Sequence, residues 1–161
     1  MDVATRIRGL QIAVRAAAGG GAALALAATL HLDYPIYAML AAVIVTELSP
    51  RQTRALAVRR LVATAIGATC GALLVVALPP GAWSIALGIL AAMVICDAIG
   101  ARDGARVAGY ICGIAMLAHG ADPWRYALLR FFETVLGIAV AGVVSFVPKL
   151  LGAEPPPEPA S

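Results

Sequence analysis

The chain has 161 residues and a formal net charge of +3, with 61% hydrophobic residues and only 13% charged ones. Because a soluble domain is about half apolar and about a quarter charged, this composition excludes an ordinary water-soluble globule. Its basic residues form no stripe with interleaved aromatic side chains, so nucleic-acid binding is excluded as well. Long apolar runs between short charged clusters instead predict an all-α membrane protein that crosses the bilayer several times.

Six apolar segments follow one another and are predicted to be transmembrane helices, at residues 10–32, 34–48, 61–78, 82–100, 107–118 and 124–147. Three turn or helix-start signals divide them, at Asp33-Tyr34-Pro35, Ser49-Pro50 and Asp122-Pro123. The charged residues 102–106 separate the fourth segment from the fifth, since such a run in mid-bilayer is costly. We predict that residues 51–60, which hold four arginines, form a loop.

The six segments make one predicted domain over residues 1–150, and the proline-rich tail 151–161 is predicted to be disordered and cytoplasmic. With six crossings, ten Arg and Lys residues fall on the side of the termini and only two, Arg125 and Arg130, on the other. This asymmetry places both termini in the cytoplasm of a bacterial inner membrane. Most interfacial aromatic residues agree by lying at the outer ends: Tyr34, Tyr37, Trp83, Trp124 and Tyr126, with Tyr110 as the exception. The alternative is a cleaved signal peptide, with residues 16–30 as its apolar region.

A shift of 70 residues aligns the third segment with the sixth. The pattern Arg-x3-Thr-x2-Gly-x3-small occurs at residues 60–71 and again at 130–141, and Asp33 falls on Asp103. Because each copy would hold an odd number of segments, the pattern indicates a 3+3 inverted repeat with a substrate site near the repeat interface. Chance similarity in a chain rich in Gly and Ala is the alternative.

No motif for catalysis or for a metal was found in the sequence. His31 and His119 lie at segment ends without a nucleophile or metal ligand nearby in the sequence. The three cysteines lie inside apolar segments at spacings of no metal site, and we expect no disulfide among Cys70, Cys96 and Cys112. We therefore predict that the protein is not an enzyme and has no cofactor.

Two pairs of glycines have the G-x3-G spacing, Gly67 with Gly71 and Gly109 with Gly113. This spacing lets the backbones of two membrane helices approach closely. We predict that these four glycines lie at helix contacts.

Charged residues inside the predicted helices or at their ends are the candidates for function, because hydrocarbon strongly disfavours an unpaired charge. Arginines that face a wet cavity can bind the carboxylate of an anion in a bidentate manner, and the candidates are Arg15, Arg60 and Arg130. Carboxylates can couple transport to protons or balance these arginines, and the candidates are Asp97, Glu133 and Glu47. The alternative is structural: snorkelling to headgroups, or a local pair of Arg130 with Glu133.

Two stretches of the chain resemble a known protein family. The first runs from Tyr34-Pro35-Ile36-Tyr37 through Ser49-Pro50 and Arg59-Arg60 to Thr64-x2-Gly67-x3-Gly71, and the second from Trp124-Arg125 through Arg130, Thr134 and Gly137 to Pro148. They resemble the aromatic acid exporter and fusaric acid resistance (FUSC-like) superfamily. The resemblance implies a six-helix membrane bundle that exports aromatic or other organic acids with the proton gradient. Plant malate channels are similar in architecture and conduct anions past arginines, so the resemblance implies that Arg60 and Arg130 face the anion.

Many members of that superfamily continue into a cytoplasmic domain, whereas this chain ends soon after the sixth segment. We therefore expect a homodimer or a higher homo-oligomer, or a separate partner. The predicted function is export of small organic, aromatic anions through the inner membrane, driven by a proton gradient. A passive anion channel and a non-transporting structural subunit are the alternatives.

Overall fold

The computed structural model describes residues 3–79, 81–118 and 122–146. These residues form helices and turns, and no strand occurs among them. The α-helices, numbered α1 to α6 in chain order, are Val3–Thr29, Ile36–Val45, Pro50–Ala77, Ala82–Ala98, Ala105–Ala118 and Pro123–Phe146, with a 3₁₀ turn at Arg102–Gly104. The predicted all-α class is confirmed, while the predicted disordered tail 151–161 lies outside the described residues.

Within the described ranges, three helices are long and apolar enough to cross a membrane: Thr5–Thr29, Pro50–Ala77 and Pro123–Phe146. The side chains are distributed as in a protein dissolved in lipid. Small residues fill the interior, whereas many large apolar side chains lie on the outside, including Trp83, Val76 and Leu117. Membrane helices pack through small residues because lipid tails solvate the large apolar ones. The chain is thus a multi-pass membrane protein.

The basic segment 51–60 is helical, and the prediction of a loop there was wrong. Pro50 occupies the first turn of α3, where a missing backbone N–H costs nothing. Arginine is a good helix former, so four arginines do not end a helix. The buried side chains of Thr53, Ala57 and Arg60 mark the face of this extension that packs inside the bundle.

The predicted turn signals act in different ways. At Asp122-Pro123, α6 begins as expected, and the backbone N–H of Arg125 donates to the Asp122 carboxylate at 3.3 Å. At Asp33-Tyr34-Pro35, no side chain caps the start of α2, and the Asp33 carboxylate instead accepts a hydrogen bond from the Arg125 guanidinium at 2.7 Å. This ion pair joins the α1–α2 turn to the start of α6.

Helices α3 and α6 run antiparallel along each other. Near the start of α3, Thr53 Oγ1 lies 3.0 Å from Ser145 Oγ, near the end of α6. Eleven residues later in α3 and eleven earlier in α6, Thr64 Oγ1 lies 3.5 Å from Thr134 Oγ1. Only antiparallel helices keep such a register over three turns.

Each of these two helices also meets a shorter helix at backbone contact. A Cβ atom added at Gly67 of α3 would overlap the carbonyl oxygen of Ala108 in α5, and one at Gly137 of α6 would overlap that of Ala38 in α2. Two interior clusters result. One joins α1, α2 and α6 through Ala23, Ala27, Ala38, Ala42, Val45 and Ala141. The other joins α3, α4 and α5 through Ala63, Ala92, Cys96, Ala108, Cys112 and Met116.

Helices α1 and α4 end in the same way. The residue that follows the last turn lies in the left-handed region, His31 with φ 53° in one case and Gly100 with φ 78° in the other. In both, the next backbone N–H donates to a carbonyl five residues earlier, which is the Schellman arrangement. This ending separates α4 from α5 at the predicted break.

Candidate functional site

Buried polar side chains line the contact between α3 and α6. Arg60 lies one turn before Thr64 in α3, and Arg130 lies one turn before Thr134 in α6, so each pair shares one face of its helix. Each threonine hydroxyl donates to the carbonyl oxygen of its arginine at 2.8 Å. Because the helices are antiparallel, the two arginines lie on opposite sides of the threonine contact, each about 6 Å along its helix.

The Arg130 guanidinium is enclosed by aromatic rings. Its side chain has no exposed surface, and its Cζ atom lies 3.4 Å from the ring centroid of Tyr37 in α2. The ring of Tyr126 packs edge-on against Tyr37 with the centroids 6.4 Å apart, and Tyr34 packs against both. Within the described ranges, no nitrogen of this guanidinium has a hydrogen-bond acceptor.

Arg60 repeats this arrangement on the other side of the threonine contact. Its side chain is 3% exposed, and its Cζ atom lies 5.5 Å from the ring centroid of Tyr110 in α5. Its three nitrogens also lack an acceptor in the described part of the chain. Tyr110 is 38% exposed, so the Arg60 side of the contact is more open than the Arg130 side.

A buried guanidinium carries five N–H donors and a full charge, and leaving it unsatisfied is costly. Stacking on a tyrosine face compensates part of this cost, about 2 kcal/mol when desolvated. Arg60 and Arg130 therefore offer an unusual number of strong donors to any anion or water that reaches them.

Glu133 lies one turn from Arg130 and is fully buried. Its Oε1 accepts the backbone N–H of Tyr34 at 2.9 Å, while Oε2 has no hydrogen-bond partner among the described residues. The local ion pair of Arg130 with Glu133, considered as the structural alternative, is not formed in this part of the chain. The carboxylate instead accepts from the Tyr34 backbone, while the guanidinium packs on the ring of Tyr37.

The other predicted site residues lie elsewhere. Arg15 is buried, and its Nη1 donates to the carbonyl oxygen of Leu48, which ties α1 to the α2–α3 turn. Glu47 is half-buried in that turn. Asp97 is exposed and accepts a hydrogen bond from Arg102 at 2.5 Å. None of these contacts includes Arg60 or Arg130.

The four predicted packing glycines lie at the two contacts that α5 makes, one with α3 and one with α4. Gly67 and Gly71 of α3 face it, and a Cβ atom at Gly71 would lie 3.0 Å from the carbonyl oxygen of Cys112. Gly109 and Gly113 are on α5 itself and face α4, where the nearest atoms belong to the side chains of Met93 and Ile89.

Sequence reasoning missed the tyrosines that stack on the arginines. Tyr37 and Tyr126 were assigned to the membrane interface, and Tyr110 was left as an exception. The available signal was a tyrosine on each of two shorter helices, Tyr37 on α2 and Tyr110 on α5. Which arginine each tyrosine contacts depends on how the helices cross, and the sequence does not show this.

Comparison with known proteins identifies a family. A family model described as fusaric acid resistance protein-like matches residues 22–144, which include Arg60, Arg130 and Glu133 but not Arg15. No curated protein and no solved structure matches the chain.

Proposed function

We propose a specific transport activity for this chain, which belongs to the fusaric acid resistance protein-like family. The family gives it a membrane transport-related role. The activity that we propose is export of small organic anions, aromatic ones among them, through the bacterial inner membrane, driven by the proton gradient.

One observation carries the proposal: two buried arginines whose guanidinium donors have no acceptor among the described residues. A carboxylate accepts two parallel N–H bonds from a guanidinium, and such charge-assisted pairs are the strong ones. The tyrosine rings beside both arginines provide flat apolar faces, which suit an aromatic body. An organic anion would thus satisfy groups that the described residues leave unsatisfied.

We also propose that the bundle is a 3+3 inverted repeat of six membrane crossings. Contacts at an offset of 70 residues support it, since Gly67 meets Ala108 in one half and Gly137 meets Ala38 in the other. Asp33 and Asp103 are also 70 residues apart, and each forms an ion pair with an arginine of a long helix, Arg125 in α6 and Arg59 in α3, although these two arginines are 66 residues apart. The antiparallel register of α3 and α6 is the relation that an inverted repeat requires.

With cytoplasmic termini, this plan puts Arg60 on the inner side of the Thr64–Thr134 contact and Arg130 on the outer side. An anion moving outward would bind first at Arg60 and then at Arg130. The threonine contact would be the narrow point between them.

Glu133 is our candidate for proton coupling, since it is buried beside Arg130 with one oxygen unpartnered among the described residues. Glu133→Gln keeps an oxygen that can accept from the backbone N–H of Tyr34, but the side chain can no longer bind and release a proton. We expect the variant to move the anion at a rate that no longer changes with an imposed pH gradient. The measurement is efflux from proteoliposomes with and without the gradient, and Asp97→Gln, at an exposed surface pair, is the control. A gradient response equal to that of the wild type would exclude this role for Glu133.

The test of the function uses the purified chain in proteoliposomes loaded with phthalate, a dianion at neutral pH, or with neutral phthalamide. We expect phthalate efflux that a proton gradient accelerates and that a protonophore returns to the rate without the gradient, with no carrier-mediated efflux of phthalamide. Flux that follows only the electrochemical gradient of the anion would favour the passive channel. If no organic anion moves, the structural-subunit alternative replaces the proposal.

A further inference from the structure

We propose that the groove between the first turns of α3 and the last turns of α6 binds one anionic phospholipid. This site is separate from the two arginines of the transport proposal and does not depend on them. We refer to it as the α3–α6 groove.

The α3–α6 groove has the shape and the chemistry of an amphiphile site. Its volume is about 440 Å³, and most of its lining comes from small or apolar residues: Pro50, Ala57, Ile138, Gly142 and Phe146. Arg51 and Arg54 contribute the positive charge, and no acidic side chain lines it in the described part of the chain. An apolar channel with cations at one end matches an acyl chain below a phosphate.

The position of the groove along the membrane normal agrees with a lipid whose phosphate lies at the charged end. The 28 residues of α3 span about 42 Å, whereas the hydrocarbon core is about 30 Å thick. One end of α3 therefore extends into the headgroup region, and the charged end is the one that does so. Arg54 is exposed there and makes no ion pair within the described ranges. Basic residues at this level attract anionic headgroups by about 1 kcal/mol each.

The floor of the groove is open at Gly142. A Cβ atom added there would meet no atom within 4 Å, although α6 packs closely at Gly137, little more than one turn earlier. An acyl chain can therefore lie against the backbone of α6 between Ile138 and Phe146. A leucine at position 142 would fill that space without disturbing the helix contact.

Native mass spectrometry of the full chain in detergent, with added phosphatidylglycerol or phosphatidylcholine, tests the proposal. We expect one tightly held phosphatidylglycerol per chain and several-fold weaker retention of phosphatidylcholine. Arg54→Gln should weaken phosphatidylglycerol binding about fivefold, the factor that corresponds to about 1 kcal/mol. Gly142→Leu should weaken both lipids, because it fills the space for the chain.

Two matched controls separate this site from general lipid contact. Arg106→Gln removes an exposed arginine from the same end of the bundle, and Gly21→Leu adds a side chain on α1, where a Cβ atom also meets nothing within 4 Å. Both should retain phosphatidylglycerol like the wild type. Equal retention of the two lipids, or equal loss in the controls, would overturn the proposal. Cross-linking of Gly142→Cys in one copy to the same position in another would also overturn it, since the groove would then be a subunit contact.

Discussion

Replacing Arg130 with glutamine is expected to lower the rate of organic anion efflux by about 100-fold or more. A bidentate contact between a guanidinium and a carboxylate contributes about 3 kcal/mol, which corresponds to a factor of about 100. Arg60→Gln should have an effect of the same size, because the anion passes both residues in turn. The double variant should be about as slow as either single one, since the two steps are in series and either of them alone already limits the flux. The measurement is the initial efflux rate from proteoliposomes at matched protein content.

Stability distinguishes this role from a structural one. Arg130 is fully buried without a hydrogen-bond acceptor among the described residues, so a neutral glutamine removes the cost of burying its charge. We expect the thermal stability of Arg130→Gln in detergent to be equal to that of the wild type or higher. A structural arginine stacked on Tyr37 would give the opposite, with lower stability and retained transport in the molecules that fold. Arg106→Gln, on the exposed start of α5, should change neither property.

Much of the architecture could be predicted from composition, apolar runs and turn signals, because these depend on local chemistry. The start of α6 at Pro123 followed from a cap signal, and the break before α5 followed from the cost of charge in lipid. The start of α3 was placed eleven residues too late, because its arginines were interpreted as a loop. Their helical state depends on propensity and on burial of Thr53 and Ala57, and the second of these is a tertiary effect.

The surroundings of the two arginines could not be derived in the same way. Arg130 stacks on Tyr37 and Arg60 on Tyr110, and each pair joins residues far apart in the sequence. Such pairs are determined by the crossing of α6 with α2 and of α3 with α5. That crossing in turn depends on which glycine of each helix meets a backbone. The aligned pattern contained Gly67 and Gly137, but not the helix that each would contact.

Replacing Gly67 or Gly137 with alanine is therefore expected to destabilise the protein strongly. The added Cβ atom would overlap the main chain of the neighbouring helix, at Ala108 in one case and at Ala38 in the other. A main chain cannot rotate away as a side chain can, so the helices must separate. Overpacking of this kind costs about 1–3 kcal/mol. Thermal unfolding in detergent measures the loss, and the two variants should lose similar amounts if the two halves are related as a repeat.

Two other glycines provide the controls for this prediction. At Gly113 the nearest atom to an added Cβ is Cδ1 of the Ile89 side chain, 3.3 Å away, and this side chain can move. Gly113→Ala should therefore cost much less than Gly137→Ala, although both positions lie at helix contacts. At Gly21 an added Cβ meets nothing, and alanine should stabilise α1 by up to about 1 kcal/mol through its helix propensity. If all four variants unfolded at the same temperature, the backbones of α3 and α5, and of α6 and α2, would not be in the close contact described here. That contact could then not determine how the arginines are placed.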